Sequence, residues 1–297
     1  MFLPRKILEE KLRNIVAEDI GQGDLTTTLI VPPESTAEAV VIAKEDGVIA
    51  GIEEAKILAE SFGLKVESLV SDGEIVKAKK ALMRISGDTR TMLSLERTLL
   101  NILSRMSGVA TTTKSLAEKI RKNRLETKIA CTRKVAPGLL YFDKKAVSIG
   151  GGDTHRLHLD DMILIKDNHV RAVGSIKKAV EEARSTVSFT KKIEVEVGKA
   201  VDALTAAKAG ADIIMLDNFS PNQIEEAVNL LKKERLSRKV LLEASGGITS
   251  KNILSYASKG VDVISLGEIT HSAKALDISL EIRSTRPPLR KRRPRRR

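Results

Sequence analysis

Apolar side chains at Ile7, Leu8, Leu12, Ile15 and Val16 recur at helical spacing, so the chain opens with an amphipathic helix over residues 5–18. From 36 to 87 the rhythm changes to short β-rich runs separated by glycine turns, EAVVIAKEDGVIAG and KVESLVSDGEIVKAKKALMRISG, with a helix predicted over 53–62 between them. These runs make a compact α/β layer that closes at Gly87-Asp88, after which a strongly apolar helix over 91–107 carries Glu96, Arg97 and Arg105. Beyond Gly108, strand-length runs over 127–132, 162–166, 192–197, 212–217, 239–244 and 262–266 alternate with helical segments over 175–184, 201–209, 221–233 and 250–259. That is the spacing of β/α units. The runs are apolar on both faces, which predicts a parallel sheet covered on both sides. Six such units close, or nearly close, a barrel.

The stretch 145–169, KAVSIGGGDTHRLHLDDMILIKDNH, crowds Gly, His, Arg, Lys and Asp around one apolar run and delivers Lys166 to the end of a strand. Every other predicted barrel strand ends in the same way: Arg133-Lys134, then Glu194 or Glu196, Asp217-Asn218, Ser245-Gly246-Gly247 and Leu266-Gly267. The C-terminal end of barrel strands is where ligands and catalysis sit, so the pattern predicts a site there. The groups sort by charge. Arg133, Lys134, His155, Arg156 and Lys166 suit a ligand with more than one carboxylate, because guanidinium forks fix both position and charge. Glu196 and Asp217 suit Mg²⁺ held through water. Ser245, Gly246 and Gly247 with Leu266-Gly267 stand where a barrel grips phosphate with backbone N–H groups. A dianionic acid, a metal and a phosphate together point to transfer of a phosphorylated sugar.

Other motifs carry less. Gly150-Gly151-Gly152 lacks the Gly-Lys-Ser/Thr ending of a nucleotide loop. His155 and His158 have no third metal ligand near them in sequence, which leaves His158 a structural residue. Cys131 lies inside a predicted strand and reads as buried, and His271 stands open either way. Glu18 to Asp24 resembles a calcium loop, but counting from Asp19 puts Ile30 where a bidentate Glu is required, so a structural turn is expected. On pattern alone, Arg97 is a solvated helix arginine.

Composition narrows the function classes. The 297 residues are 42% hydrophobic but only 2% aromatic, with no Trp, so the core is aliphatic and base stacking on the protein has little to work with. The net charge of +12 is concentrated at the end, where residues 283–297 hold nine Lys or Arg and no acid. Without that tail the body carries about +3, nearly neutral. The tail, with Pro287, Pro288 and Pro294, reads as a disordered solvated extension; nucleic-acid binding through 284–297 is the alternative. A single cysteine excludes an internal disulfide, and no apolar run reaches membrane-spanning length. A cytoplasmic protein with no membrane contact is expected.

Motifs in order along the chain carry a resemblance. They are Glu18-Asp-Ile-Gly-Gln-Gly-Asp24, Glu96-Arg-Thr-Leu-Leu-Asn101 with Ser107-Gly108, Thr132-Arg-Lys134 with Pro137-Gly138, and Gly150-Gly-Gly152 with His155-Arg156. Leu164-Ile-Lys-Asp-Asn-His169, Glu194-Val-Glu196, Leu216-Asp-Asn218, Glu243-Ala-Ser-Gly-Gly247 and Thr270-His271 complete the set. From about Glu18 to Glu281 the sequence resembles the quinolinate phosphoribosyltransferases. Val135 and Leu140 depart from that pattern, where Thr and Arg are common, and bear on loop detail alone.

The resemblance implies an α/β fold of the type II phosphoribosyltransferase kind: an N-terminal α/β sandwich over 1–108, an incomplete, open β/α barrel over 109–271, a C-terminal helix over 272–283 packing back on the first domain, and the basic tail over 284–297. It implies a homodimer or higher oligomer in which Arg97 crosses to the partner's site, reversing the pattern-based reading. Arg133, His155, Arg156 and Lys166, with Lys134 close by, would bind quinolinate. Glu196 and Asp217 would face ribose and Mg²⁺, while Ser245, Gly246, Gly247, Leu266 and Gly267 would serve phosphoribosyl pyrophosphate. Lys134, Lys166, Glu196 and Asp217 would carry the chemistry. The same strand ends would also serve a Schiff-base aldolase with Lys166 as nucleophile. A related family tied to molybdenum uptake shares much of the pattern, but the intact Lys166-Asp-Asn-His169 and the five cations favour the quinolinate enzymes.

Overall fold

The structure, a computed structural model, describes residues 3–287. Its strands, in chain order, are β1 (Thr36–Ala43), β2 (Gly47–Val48), β3 (Lys65–Ser68), β4 (Ile75–Val76), β5 (Ala81–Asp88), β6 (Lys128–Cys131), β7 (Ile163–Ile165), β8 (Ile193–Val197), β9 (Ile213–Asp217), β10 (Leu241–Ser245), β11 (Val263–Leu266) and β12 (Ile278–Arg286). They divide between two compact units. The first runs to Thr111 and resumes at Lys274, and the second is Thr112–Ala273.

The first unit is an antiparallel sheet in the order β12-β1-β5-β3, with β2 and β4 paired apart from it. The helix Arg5–Ile20 buries Leu8, Leu12 and Val16 and packs on the helix Ile52–Ser61, which in turn covers β3. The glycine turn after the first helix is structural, as expected: Asp19 Oδ2 accepts the Thr98 hydroxyl at 2.6 Å, and Asp24 caps a short helix, Leu25–Ile30, through Thr27 N–H at 2.9 Å. The sequence reading missed that helix.

Two expectations are corrected here. The C-terminal segment predicted as a helix over 272–283 holds no helix; from Ile278 it forms β12, antiparallel to β1, with Ala43 opposite Ile278 and Val41 opposite Leu280. Ile278, Leu280 and Ile282 alternate with Ser279, Glu281 and Arg283, a strand period, and pairing satisfies an edge of β1 that would otherwise stand open. Ser284 to Arg286 therefore continue a strand, and the rest of the predicted tail, 288–297, lies outside the described residues. The apolar helix predicted to stop at 107 runs from Thr89 to Lys122, because Val109, Ala110, Leu116 and Ile120 continue its buried face. Gly108 does not end it. A Cβ there would stand 2.2 Å from the Lys274 carbonyl oxygen, so this glycine admits the returning backbone.

In the second unit six parallel strands follow the order β6-β11-β10-β9-β8-β7, each pair in one register from end to end. All six predicted strands are present. The first strand neighbours the last, as in a barrel, but no ladder joins β6 to β7 among the described residues, so the barrel is open. Asp153 lies along β6 at that opening: its N–H donates to Ile129 O at 2.7 Å and its carbonyl accepts from Cys131 N–H at 3.1 Å. At the opposite ends of the strands, Asp212 and Asp262 each bracket the strand next door with a carboxylate, on Ile193 N–H at 2.8 Å and Leu242 N–H at 2.7 Å. The helices Leu140–Ile149 and Asp167–Val173 escaped the sequence reading, the first because two lysines and an aspartate stand in its buried middle. No described helix is long and apolar enough to cross a membrane.

Candidate active site

A cavity of about 570 Å³ opens at the C-terminal ends of the barrel strands. Arg133 and Lys134 reach it after β6, His155 and Arg156 from the turn beyond Asp153, Lys166 after β7, Glu196 from β8, Asp217 from β9, and Ser245, Gly246 and Gly247 from the end of β10. A second concavity of about 530 Å³ shares Arg133, Arg156, Leu164 and Lys166 and adds Leu159, His169 and Lys191. Ten of the expected residues thus meet in one place. Leu266 is buried in the core, and Gly267 stands beside the cavity wall, where a Cβ would come within 3.3 Å of the Lys134 side chain. Arg97 is exposed on the first unit's part of the helix Thr89–Lys122 and does not line the cavity.

Local rules place each group. Lys166 is the N-cap of the helix Asp167–Val173, its N–H held by His169 Nδ1 at 2.9 Å, which explains the Lys-Asp-Asn-His run. Its ammonium donates to Glu196 Oε2 at 2.6 Å. Asn218 adopts φ 56°, donates its N–H to Ser245 O at 2.8 Å and its amide to Asp217 Oδ2 at 2.7 Å. Gly246, at φ 86°, is obligatory, since a Cβ would lie 2.3 Å from the Asn218 amide oxygen. Thr270 ties down the loop after β6 by donating its hydroxyl to Lys134 O at 2.8 Å.

The electrostatics form two half-sites. Burial and then the neighbouring charge of Arg133 push the Arg156 guanidinium down from its usual value, so two guanidiniums share one wall. On the other wall burial and the charge of Glu196 push the Asp217 carboxyl up. Paired like charges on each wall are what a site for an anion and a cation shows before they arrive. Glu196 and Asp217 are both oxygen donors of the hard kind Mg²⁺ takes, and their mutual repulsion is what a divalent cation would relieve.

Beneath the arginines, His155 lines the cavity and has both ring nitrogens engaged within the protein. Nε2 faces Glu194 Oε2 at 3.3 Å and Glu243 Oε2 at 3.2 Å, while Nδ1 accepts Arg156 N–H at 2.7 Å. Burial lowers the charged form of this imidazole, but the two carboxylates outweigh it and push its pKa up to about 10. The Arg156 N–H needs the Nδ1 lone pair and opposes that charge. The Glu194 carboxyl is itself pushed up by burial. His158, the second member of the histidine pair, is exposed and takes no part; three potential metal-ligand atoms within 4.8 Å of one another belong to His155, Glu194 and Glu243.

Sequence reasoning quoted Glu243 and Asn218 within motifs without giving either a role, and it missed Lys144. Glu243 was legible in principle, since it stands two positions before Ser245 and therefore on the same face of β10. Lys144 was not. It is fully buried in the helix Leu140–Ile149, pushed down by burial, and donates to the carbonyls of Thr154 and Arg156. Cys131 is buried as expected, and burial pushes its thiol up, away from nucleophilic work.

Comparison with known proteins meets this geometry. The quinolinate phosphoribosyl transferase N-terminal domain matches residues 24–107 and the C-terminal domain of the same family matches 109–281. The chain is 46% identical over 279 residues to a protein of Methanocaldococcus jannaschii named as a probable carboxylating nicotinate-nucleotide pyrophosphorylase, covering 93% of this chain and 96% of that one. A protein of the same name from Methanothermobacter thermautotrophicus is 45% identical over 272 residues, 92% of this chain and 98% of that one. Among solved structures, the nicotinate-nucleotide pyrophosphorylase of Francisella tularensis superposes with a TM-score of 0.85 at 38% identity, covering 95% of this chain and 98% of that one. With both family domains matched in order and relatives this similar over nearly their whole length, the chain belongs to the quinolinate phosphoribosyltransferase family.

Proposed function

We propose that this protein transfers the phosphoribosyl group of phosphoribosyl pyrophosphate to the ring nitrogen of quinolinate and releases the 2-carboxylate, giving nicotinate mononucleotide, CO2 and pyrophosphate. One observation carries the reading. A single cavity sets Arg133, Arg156 and Lys166 against Glu196 and Asp217, a cationic wall for a diacid facing an acidic wall for a ribosyl cation and its metal. It serves the synthesis of pyridine nucleotides.

In this reading Arg133, Arg156 and Lys166 fix the two carboxylates of quinolinate, with Lys134 close to where the pyrophosphate departs. The diacid is thereby held with its ring nitrogen toward ribose C1, which converts an encounter of two anions into a positioned displacement. As the C1–O bond to pyrophosphate breaks, positive charge grows on the ribose, and the fixed carboxylates of Glu196 and Asp217 lower its energy. Once the nitrogen is quaternary, the electrons of the 2-carboxylate C–C bond pass to the ring as CO2 leaves, and a proton takes the vacated carbon. Glu196 and Asp217 are the residues that would hold Mg²⁺, through water, and the ion when bound would offset the charge of the leaving pyrophosphate. The N–H groups of Ser245, Gly246, Gly247 and Gly267 suit the 5-phosphate.

Arg97, exposed on the first unit, would complete the quinolinate site of a second copy of the chain, making the enzyme a homodimer or a larger assembly. A cytoplasmic location fits its substrates. The test is formation of nicotinate mononucleotide from quinolinate, phosphoribosyl pyrophosphate and Mg²⁺, with nicotinate as the control acceptor. Lys166→Ala and Arg133→Ala are each expected to lower turnover at least ~100-fold, the scale of one lost preorganised electrostatic contact. Near-normal turnover in both variants would remove the assignment.

A further inference from the structure

We infer that Lys144, Glu194 and Glu243 are positioning residues for acceptor recognition: they lock the His155-Arg156 turn from beneath. The inference deepens the proposed function and rests on it.

The turn needs holding. His155 sits at φ 51°, the left-handed region that a residue other than glycine adopts only where its surroundings over-determine it. Lys144 Nζ donates upward to the carbonyl of Thr154 and, at 3.1 Å, to that of Arg156, so one ammonium brackets the residue between them. Asp153 Oδ1 accepts the His155 N–H at 2.7 Å. The imidazole is then hydrogen-bonded at Nε2 to Glu243 Oε2, with the Glu194 carboxylate facing the same nitrogen as an ion pair, and at Nδ1 accepts the Arg156 N–H, which joins the orientation of the ring directly to the backbone that carries the guanidinium.

Lys144 and Glu194 are 0% exposed and Glu243 2%, and neither Lys144 nor Glu194 lines the cavity. Charges are taken out of water at considerable cost unless they are paired, and replacing such groups with well-packed apolar ones is often neutral for stability. Three of them converging on one strained turn under a substrate arginine fit a role in recognition. The open edge of the barrel adds a reason. The turn follows Asp153, which pairs with β6 by one bridge and lacks the ladder that fixes the strand ends elsewhere. Side chains supply what the missing ladder does not.

Glu243→Gln keeps the shape and removes the charge; Lys144→Met keeps the stem and removes the clamp on the two carbonyls. In each, the KM for quinolinate is expected to rise at least about tenfold, the scale of one lost charged hydrogen bond, with the KM for phosphoribosyl pyrophosphate held within about twofold. The ¹⁵N signals of the His155 ring in the substrate-free protein are expected to move in Glu243→Gln, a readout that a role in overall stability would not produce. Equal changes in both KM values, or an unmoved ring signal, would overturn the inference. So would a stoichiometric divalent ion in the wild-type protein that Glu243→Gln loses, since the cluster would then be a metal centre. If Lys144→Met does not fold, Glu243→Gln decides alone. Wild-type protein that fails to turn over quinolinate would strike the functional reading, and the ring signals would still test the clamp.

Discussion

Asp212 shows how much a single side chain does at the N-terminal ends of the barrel strands. Its carboxylate accepts Ile193 N–H at 2.8 Å and pairs with Arg184 at 2.6 Å and Lys192 at 3.6 Å. Burial works against its charge, but these partners prevail and hold its carboxyl below the usual range. A depressed folded pKa contributes stability that is present above the ordinary value near pH 4 and is lost as pH falls through the folded one. Asp212→Asn is therefore expected to cost about 1–2 kcal/mol at pH 7, the worth of charge-assisted hydrogen bonds, with the deficit shrinking below about pH 4. Denaturant unfolding of both proteins at pH 7 and pH 3 measures it. At this scale the sequence was informative about exposed chemistry and silent about buried chemistry. Arg133, Lys166, Glu196 and Asp217 were legible because they end strands, and strand ends face the site in a barrel. Lys144 was illegible, since a lysine amid charged residues on a helix looks solvated until its carbonyl partners are known.

At the scale of elements, periodicity identified all six barrel strands, because parallel strands buried on both faces leave unbroken apolar runs. It misjudged the long helix and the last strand. A glycine ordinarily weakens a helix, so Gly108 reads as a stop, but in the fold the Lys274 backbone crosses there and leaves no room for a side chain. Gly108→Ala is expected to destabilise the protein by at least about 2 kcal/mol, despite alanine's better helix propensity, because the clash is with backbone that cannot step aside. A Tm equal to or above that of the wild type would show that the segment near Lys274 relaxes freely. β12 was missed for a related reason. Its alternation was present over Ile278 to Arg283, yet a strand is defined by its partner, and β1 lies more than two hundred residues earlier in the chain.

For the whole molecule, the charge excess and the catalytic machinery separate. Residues from Arg290 to the end carry seven of the nine basic residues of the tail and lie beyond the described fold. A chain ended at Pro287 is expected to keep quinolinate turnover within about twofold and to lose any salt-dependent affinity for RNA, because such affinity is set by the number of phosphates neutralised. A chain ended at Ala273 is expected to fail, since it lacks the strand that pairs with β1, and a Tm scan of both truncations distinguishes the outcomes. The sequence by itself determined the fold class, the order of the β/α units and the identity of the cavity's charged walls, since period, turn chemistry and strand ends are local properties of the chain. Only the tertiary structure decided where the barrel stays open, between β6 and β7, that the chain's end returns as a strand, and that His155 spends both ring nitrogens inside the protein. Each of these depends on which distant groups meet, and a buried charge or an edge strand takes its meaning from the partner that folding brings to it.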